Sequence, residues 1–263
     1  MLSHNTISLI KSLHQKKKRI ESALFLAEGD KVVTEMLSSE FTVRHVYALK
    51  EWLQENGRLI PRNVESSGVT QAELERISTL VSAPPVLAVV EIPKVRIEHE
   101  EFLIGFRLVL DGIRDPGNMG TIIRTADWFG IQRIVASDDS AEFWNPKVVQ
   151  SSMGSLTRVK VITASLPDFF ERVNEASRKS NVDAPAVYGA FMEGQSLYEE
   201  TFAPSGLIVF GNESNGIRTA TEAFVDRKIS IPSFAIKGDS MPESLNVAVA
   251  AALILGELKR QSI

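Results

Sequence analysis

The feature that most constrains this chain is a rhythm in its second half. Six short apolar runs, FRLVLDGI, RIVAS, VKVIT, AVYGAF, GLIVFG and KISIP, are separated by amphipathic stretches near 118–129, 145–156, 167–180 and 218–224. Strands that alternate with helices predict a mixed or parallel sheet with helices packed on it. A last stretch, SLNVAVAAALILGELKR, is apolar on nearly every side as far as Leu255. A helix of that kind is expected to be buried, against a sheet or a partner subunit.

The first half carries the same rhythm in shorter form. ALFLAEG reads as a strand, DKVVTEMLSS as a helix and VRHVYAL as a strand. TQAELERIS reads as a helix whose Thr70 and Glu73 have capping-box spacing, and PPVLAVVEI as a strand opened by prolines. The segment PKVRIEHEEF is charged and without period, which predicts a linker. The expected organisation is an N-terminal α/β domain over 1–95, a linker over 96–104 and a second α/β domain over 105–263. There is no internal repeat.

Composition narrows the chemistry. The absence of cysteine excludes disulfides and thiolate metal sites and fits a reducing compartment, the cytoplasm. No run of about 18 apolar residues predicts a membrane span, and the N-terminus reads as neither signal nor transit peptide. The formal charge of −4 argues against a coat of positive charge, so clustering matters more. Lys11, Lys16, Lys17, Lys18 and Arg19 form the one dense cationic block. It is either a solvated helix face or an RNA-phosphate contact, with Lys16, Lys17, Lys18 and Arg19 as the contact residues.

Ligands of open α/β sheets bind beyond the carboxyl ends of the strands. Three strand ends carry unusual residues: DGIRDPGNMG, GLIVFGNESNGI, and ISIP followed by ESLNVAVA. Glycine permits close backbone approach or positive φ, and Ser or Asn supplies helix caps. Each could be a plain turn or cap. Neither G-x-x-x-x-G-K-[ST] nor a G-x-G-x-x-G after the first strand is present, which disfavours ATP hydrolysis and NAD chemistry.

Taken together and in order, DPGNMGTIIRTADWFG, IVFGNESNGI and ISIP…ESLNVAVAAAL resemble the signature motifs of the SpoU/TrmH family of RNA ribose 2′-O-methyltransferases. The resemblance covers roughly 105–260, and the first half resembles the family's ribosomal-protein-like substrate-binding domain. It implies a trefoil-knotted SPOUT methyltransferase domain, S-adenosyl-L-methionine as cofactor, no metal, and an active site completed across a homodimer. By position it implies Gly211, Ile231 and Leu245 as cofactor-binding residues. It implies Arg124, Asn118, Glu213, Ser244 and Asn246 as the catalytic set.

Arg124 is expected to orient a phosphate that takes the hydroxyl proton, because a guanidinium stays protonated. Glu213 is expected to hold loop backbone or Asn118. The implied substrate is RNA, ribosomal in preference to transfer RNA. The alternatives are a transfer RNA ribose methyltransferase, a base methyltransferase, and a non-catalytic RNA-binding protein that retains the knotted fold. The stretch SFAIKGDSMPE is longer than the usual family loop, and its Lys237 is either a solvated loop lysine or an RNA contact.

Overall fold

The protein is described by a computed structural model that covers residues 1–234 and 244–262. Lys237 and most of the long loop lie outside the described residues. The chain divides into two compact units. One comprises Met1–Val95 with Glu142–Thr157, the other Arg96–Ala141 with Arg158–Ile263.

The first unit opens with α1 (His4–Ser12) and α2 (Lys16–Ser22), followed by β1 (Leu24–Glu28), α3 (Asp30–Leu37), β2 (Val43–Ala48), α4 (Lys50–Asn56), β3 (Glu65–Gly68), α5 (Gln71–Ile77) and β4 (Val86–Glu91). Its sheet has the order β1-β4-β2-β3, antiparallel except for the parallel pair β2–β3. The capping box at α5 is formed: Thr70 accepts from the Glu73 N–H, and Glu73 accepts from the Thr70 N–H at 3.0 Å. The polar run ESSG carries no strand signal, yet it pairs as β3 with β2. An edge strand gains backbone hydrogen bonds without needing an apolar face.

The second unit contains β5 (Phe106–Asp111), α6 (Pro116–Trp128) and β6 (Arg133–Ala136). Then Glu142–Thr157, with α7 (Pro146–Ser151), joins the first unit. There Trp144 lies 4.9 Å from Phe25 and 6.0 Å from Phe41, ring to ring. The second unit resumes with β7 (Lys160–Thr163), α8 (Leu166–Ser180), β8 (Ala186–Ser196), β9 (Gly206–Gly211), α9 (Thr219–Glu222), β10 (Arg227–Ser230) and α10 (Val247–Arg260).

Its sheet is parallel throughout, in the order β10-β8-β9-β5-β6-β7. The chain winds outward from β5 through β6 to β7, then starts again on the other side of β5. The order therefore reverses between β5 and β9, and in open α/β sheets ligands bind at the strands' carboxyl ends beside such a reversal. Alternate residues serve opposite faces. Val109, Val135, Val187, Leu207 and Val209 meet Leu166, Phe169, Phe170 and Val173 of α8. Leu108, Leu110, Ile208 and Phe210 are buried on the other face, where α6 packs against α10.

One expectation meets a difference here. Phe102 and Leu103 fall in the expected linker, yet they are buried in the second unit's core, with Phe102 edge-on to Phe169 at 4.9 Å. The surrounding acids mask these two apolar side chains in the sequence. The final helix starts at Val247, and within the single chain its Val249 and Leu253 are exposed.

Candidate active site

The reversal between β5 and β9 sets Asp111 opposite Gly211 in register. Each strand end releases a loop, and the start of α10 supplies a third segment. Gly112 turns the chain at φ +75°, and Asp115 then caps α6 by accepting from the Asn118 N–H at 2.8 Å. Pro116 at the first helical turn needs no N–H partner there. After β9, Asn212 and Gly216 exchange two backbone hydrogen bonds of 3.0 and 2.9 Å, closing a tight turn with Gly216 at φ +66°. A Cβ on Gly211 would collide with the Gly216 carbonyl carbon and the Ile217 nitrogen, so only glycine lets the turn fold back this closely.

The three segments are joined by a directional chain of side-chain hydrogen bonds. Asn118 Nδ2 donates to Glu213 Oε1 at 2.7 Å, and Asn246 Nδ2 donates to Asn118 Oδ1 at 3.0 Å. Asn246 Oδ1 caps α10 by accepting from the Ala248 N–H at 2.9 Å. The polarity follows from chemistry. An ionised carboxylate can only accept, so it fixes the amide of Asn118 with nitrogen toward Glu213. That leaves Oδ1 of Asn118 for the Asn246 amide, whose own oxygen is left for the helix.

Beside this chain a buried carboxylate pairs with an arginine whose side chain is 47 % exposed. Asp111 is fully buried, and its carboxylate accepts from the Arg218 N–H at 2.9 Å and from Arg218 Nε at 2.6 Å, with Nη2 also paired to it. The bond to Asp111 holds the Arg218 guanidinium above its ordinary pKa. Arg218 Nη1 also pairs with Asp139 at 3.3 Å. The Ser137 hydroxyl, and then Arg218, hold the Asp139 carboxyl below the usual range.

The remaining residues expected from the sequence are dispersed. Ser244 is exposed and makes no hydrogen bond among the described residues, and Leu245 is exposed beside it. Ile231 is half-buried just beyond β10. Arg124 stands on an exposed face of α6, without a hydrogen bond or ion pair among the described residues. It lies six residues beyond Asn118, roughly 9 Å along the helix and on a different face. One turn further on, Trp128 is 85 % exposed.

The cationic block needs a correction at Arg19. Its guanidinium is 2 % exposed, donates to the Leu13 carbonyl at 2.8 Å and forks onto Glu142, so it faces the interior of the first unit and not solvent. Lys17 and Lys18 are exposed and paired at the surface with Glu21. The sequence reading missed Asp111, Asn212 and Arg218. A signal existed: an acid closing the apolar run LVLD needs a cation once it is buried.

Residues 105–256 match the SpoU rRNA Methylase family, and residues 4–88 match the MRM3-like substrate binding domain. The 23S rRNA (guanosine(2553)-2′-O)-methyltransferase RlmP of Bacillus subtilis is 29% identical, with 95% of this chain and 94% of that protein covered. The 23S rRNA (uridine(2479)-2′-O)-methyltransferase of Streptomyces viridochromogenes is 30% identical, covering 95% and 88%.

Among solved structures, a TrmH-family protein from Porphyromonas gingivalis superposes with a TM-score of 0.85 at 36% identity, covering 99% of both chains. The SpoU methyltransferase AviRb of Streptomyces viridochromogenes, solved with AdoMet, also gives 0.85, at 26% identity over 99% and 98%. The parallel sheet, the matched motifs and these relatives place the chain in one family: it belongs to the SpoU rRNA methylase family.

Proposed function

We infer that this chain is an S-adenosylmethionine-dependent methyltransferase that methylates a ribose 2′-hydroxyl in RNA, and that the RNA is ribosomal. The observation that carries this reading is the Glu213–Asn118–Asn246 chain. It ties all three family motifs together at the reversal of the sheet, where α/β folds bind ligands. The named relatives at near-full coverage, both of them 23S rRNA 2′-O-methyltransferases, support the ribosomal substrate.

The strand-end residues fit the cofactor. Gly211, Ile231 and Leu245 lie at the carboxyl ends of β9 and β10 and just before α10, and would hold it largely through backbone groups. When bound, the cofactor supplies a methyl group on a sulfonium, a good leaving group that needs no metal. The chain's own work is alignment. Glu213 fixes Asn118, and Asn118 fixes Asn246, so Asn118 presents its remaining N–H at a set angle. Ser244, free of partners among the described residues, is placed to hydrogen-bond a ligand beside Asn246.

Arg124 would hold an RNA phosphate by paired donors while a phosphate oxygen takes the hydroxyl proton. Its distance from Asn118 and its exposure fit a role in the site of a second copy. The exposed Trp128, Val249 and Leu253 on α6 and α10 support a homodimer through that face. The path that leaves β9, passes over β8 to β10 and returns as α10 to α6 supports the trefoil knot. No helix among the described residues is long and apolar enough to cross a membrane, and a ribosomal substrate implies the cytoplasm. Among the described residues there is no metal-ligand cluster.

The test is 2′-O-methyl mapping of total RNA from cells with and without the gene. One ribosomal nucleotide that loses its methyl group supports the reading. A missing methyl in transfer RNA, or on a base, or no change at all, overturns it.

A further inference from the structure

We propose that Asp111 and Arg218 are positioning residues for methyl transfer, acting by holding the Glu213 turn against Asn118. The proposal rests on the reading of the Glu213–Asn118–Asn246 chain as the methyltransferase site.

The turn that carries Glu213 is closed on itself. Asn212 and Gly216 exchange backbone bonds, and Asn212 Oδ1 accepts from the Ser214 and Asn215 N–H groups at 3.0 and 3.1 Å. Such a turn is internally stiff, but those bonds leave it free to swing as one piece about Gly211. The Ile217 side chain, buried in the second unit's core, anchors its far end, and two hydrogen-bonded pins fix its direction. Before the turn, Asn212 Nδ2 donates to the Gly112 carbonyl at 2.8 Å. After it, the Arg218 N–H and Nε close on Asp111 at 2.9 and 2.6 Å.

Glu213 sits between the pins, and its two carboxylate oxygens accept from Asn118 at 2.7 Å and from Asn212 at 3.3 Å. The second pin is itself braced. Arg218 Nη1 reaches Asp139, whose carboxylate takes the Ser137 hydroxyl at 2.8 Å, and Ser137 Oγ accepts the Gly112 N–H at 2.8 Å. The loops after β5, β6 and β9 are thereby tied to one guanidinium.

Asp111 lies out of a substrate's reach, and Arg218, although 47 % exposed at its side chain, turns its guanidinium onto two carboxylates. Asp111 is fully buried. The Arg218 guanidinium is taken up by Asp111 through Nε and Nη2 and by Asp139 through Nη1. The geometry demands a planar fork, which lysine does not supply.

The test uses the full chain, tritiated S-adenosylmethionine and a ribosomal RNA transcript. Wild-type transfer to that RNA tests the underlying reading. The inference is tested by Arg218→Ala, Arg218→Lys, Glu213→Gln and the Glu213→Gln/Arg218→Ala double variant. A misplacement of about 1 Å is enough to cost about 10²-fold in rate. Arg218→Ala should therefore lower kcat by about 10²-fold while KM for RNA and cofactor affinity stay within about threefold. Arg218→Lys should recover part of kcat. Because both residues act through one contact, the double variant should be no slower than the worse single within about threefold.

Losses that multiply, or a loss carried by KM for RNA, would overturn the proposal. Should Arg218→Ala not fold, Asp139→Ala removes the brace and leaves the Asp111 pair, and should show a smaller fall in kcat alone. If the wild type transfers no methyl group, the NMR shift of the Asn118 side-chain amide still decides. It should move in Arg218→Lys, and an unmoved signal refutes the positioning role.

Discussion

Glu142→Ala offers the sharpest test of how the first unit is held together. Glu142 arrives from a segment 123 residues distant in sequence and meets Arg19 through Nε at 3.2 Å and through Nη2. The two partners are not equally buried: the Arg19 side chain is 2% exposed and that of Glu142 13%. Removing Glu142 leaves a buried guanidinium with one carbonyl, Leu13 O, as acceptor. Stripping one partner from a buried pair costs about 3–5 kcal/mol. With a urea slope of about 2 kcal/mol per M, a loss of about 4 kcal/mol moves the midpoint by about 2 M.

Arg19→Met should cost less, because the stranded carboxylate is nearer water. The double variant Arg19→Met/Glu142→Leu should be milder still, since apolar replacement of both partners is often neutral. Without the bond to Leu13 O a deficit of about 1 kcal/mol remains. Amide hydrogen exchange of peptides covering β1, read against urea, isolates the first unit from the second. A loss below about 1 kcal/mol in Glu142→Ala, or a double variant worse than both singles, would refute the reasoning. Arg19 would then be a relaxed cation available to phosphate.

Three further outcomes are expected. Arg124→Ala should lower turnover by about 10²-fold with cofactor affinity unchanged, and mixing it with Glu213→Ala should restore activity if Arg124 serves a second copy's site; absence of complementation would rule out that arrangement. Replacing Lys16, Lys17 and Lys18 with alanine should flatten the slope of log RNA affinity against log salt, by about 0.7 to 0.9 for each phosphate that is no longer neutralised, whereas Arg19→Met should leave it unchanged. The N–H of Thr70, and then that of Leu2, holds the Glu73 carboxyl below its ordinary value. Its stabilising contribution is complete above the unfolded pKa and is lost as pH falls through the folded one. Glu73→Gln should therefore flatten the acid limb of the first unit's stability in urea titrations at stepped pH.

The fold is legible where apolar period and punctuation coincide. The four inner strands of the second sheet lie in runs such as GLIVFG and RIVAS, because parallel strands covered on both faces are apolar over most of their length, and the edge strands KVIT and RKIS show through shorter apolar centres. β3 is not legible, because ESSG buries nothing that composition could betray. Nor is the return of Glu142–Thr157 to the first unit. A helix such as Pro146–Ser151 carries the same local signal whichever core receives it. Arg19 shows the converse failure: four cations in a row look alike, yet the register of α2 turns one of them inward.

The site divides along the same line. Asn118, Glu213 and Asn246 stand in local patterns with physical reasons of their own, a capped helix start, a glycine-bracketed turn and an N-cap, so the sequence exposes them. What makes them one site is long-range: bonds spanning 95, 128 and 107 positions join Asn118 to Glu213, Asn246 to Asn118, and Arg218 to Asp111. Only the parallel sheet brings those positions together, since its order reverses between β5 and β9 and so sets the two loops side by side. A buried acid at the end of β5 would be costly by itself. Here it is matched by a cation that arrives just past the Glu213 turn, so the pair that neutralises Asp111 also bears on where Glu213 stands. The stability of the sheet at its carboxyl end and the alignment of the site then depend on the same two side chains. A variant that repairs the buried charge without the fork, such as Arg218→Lys, separates them.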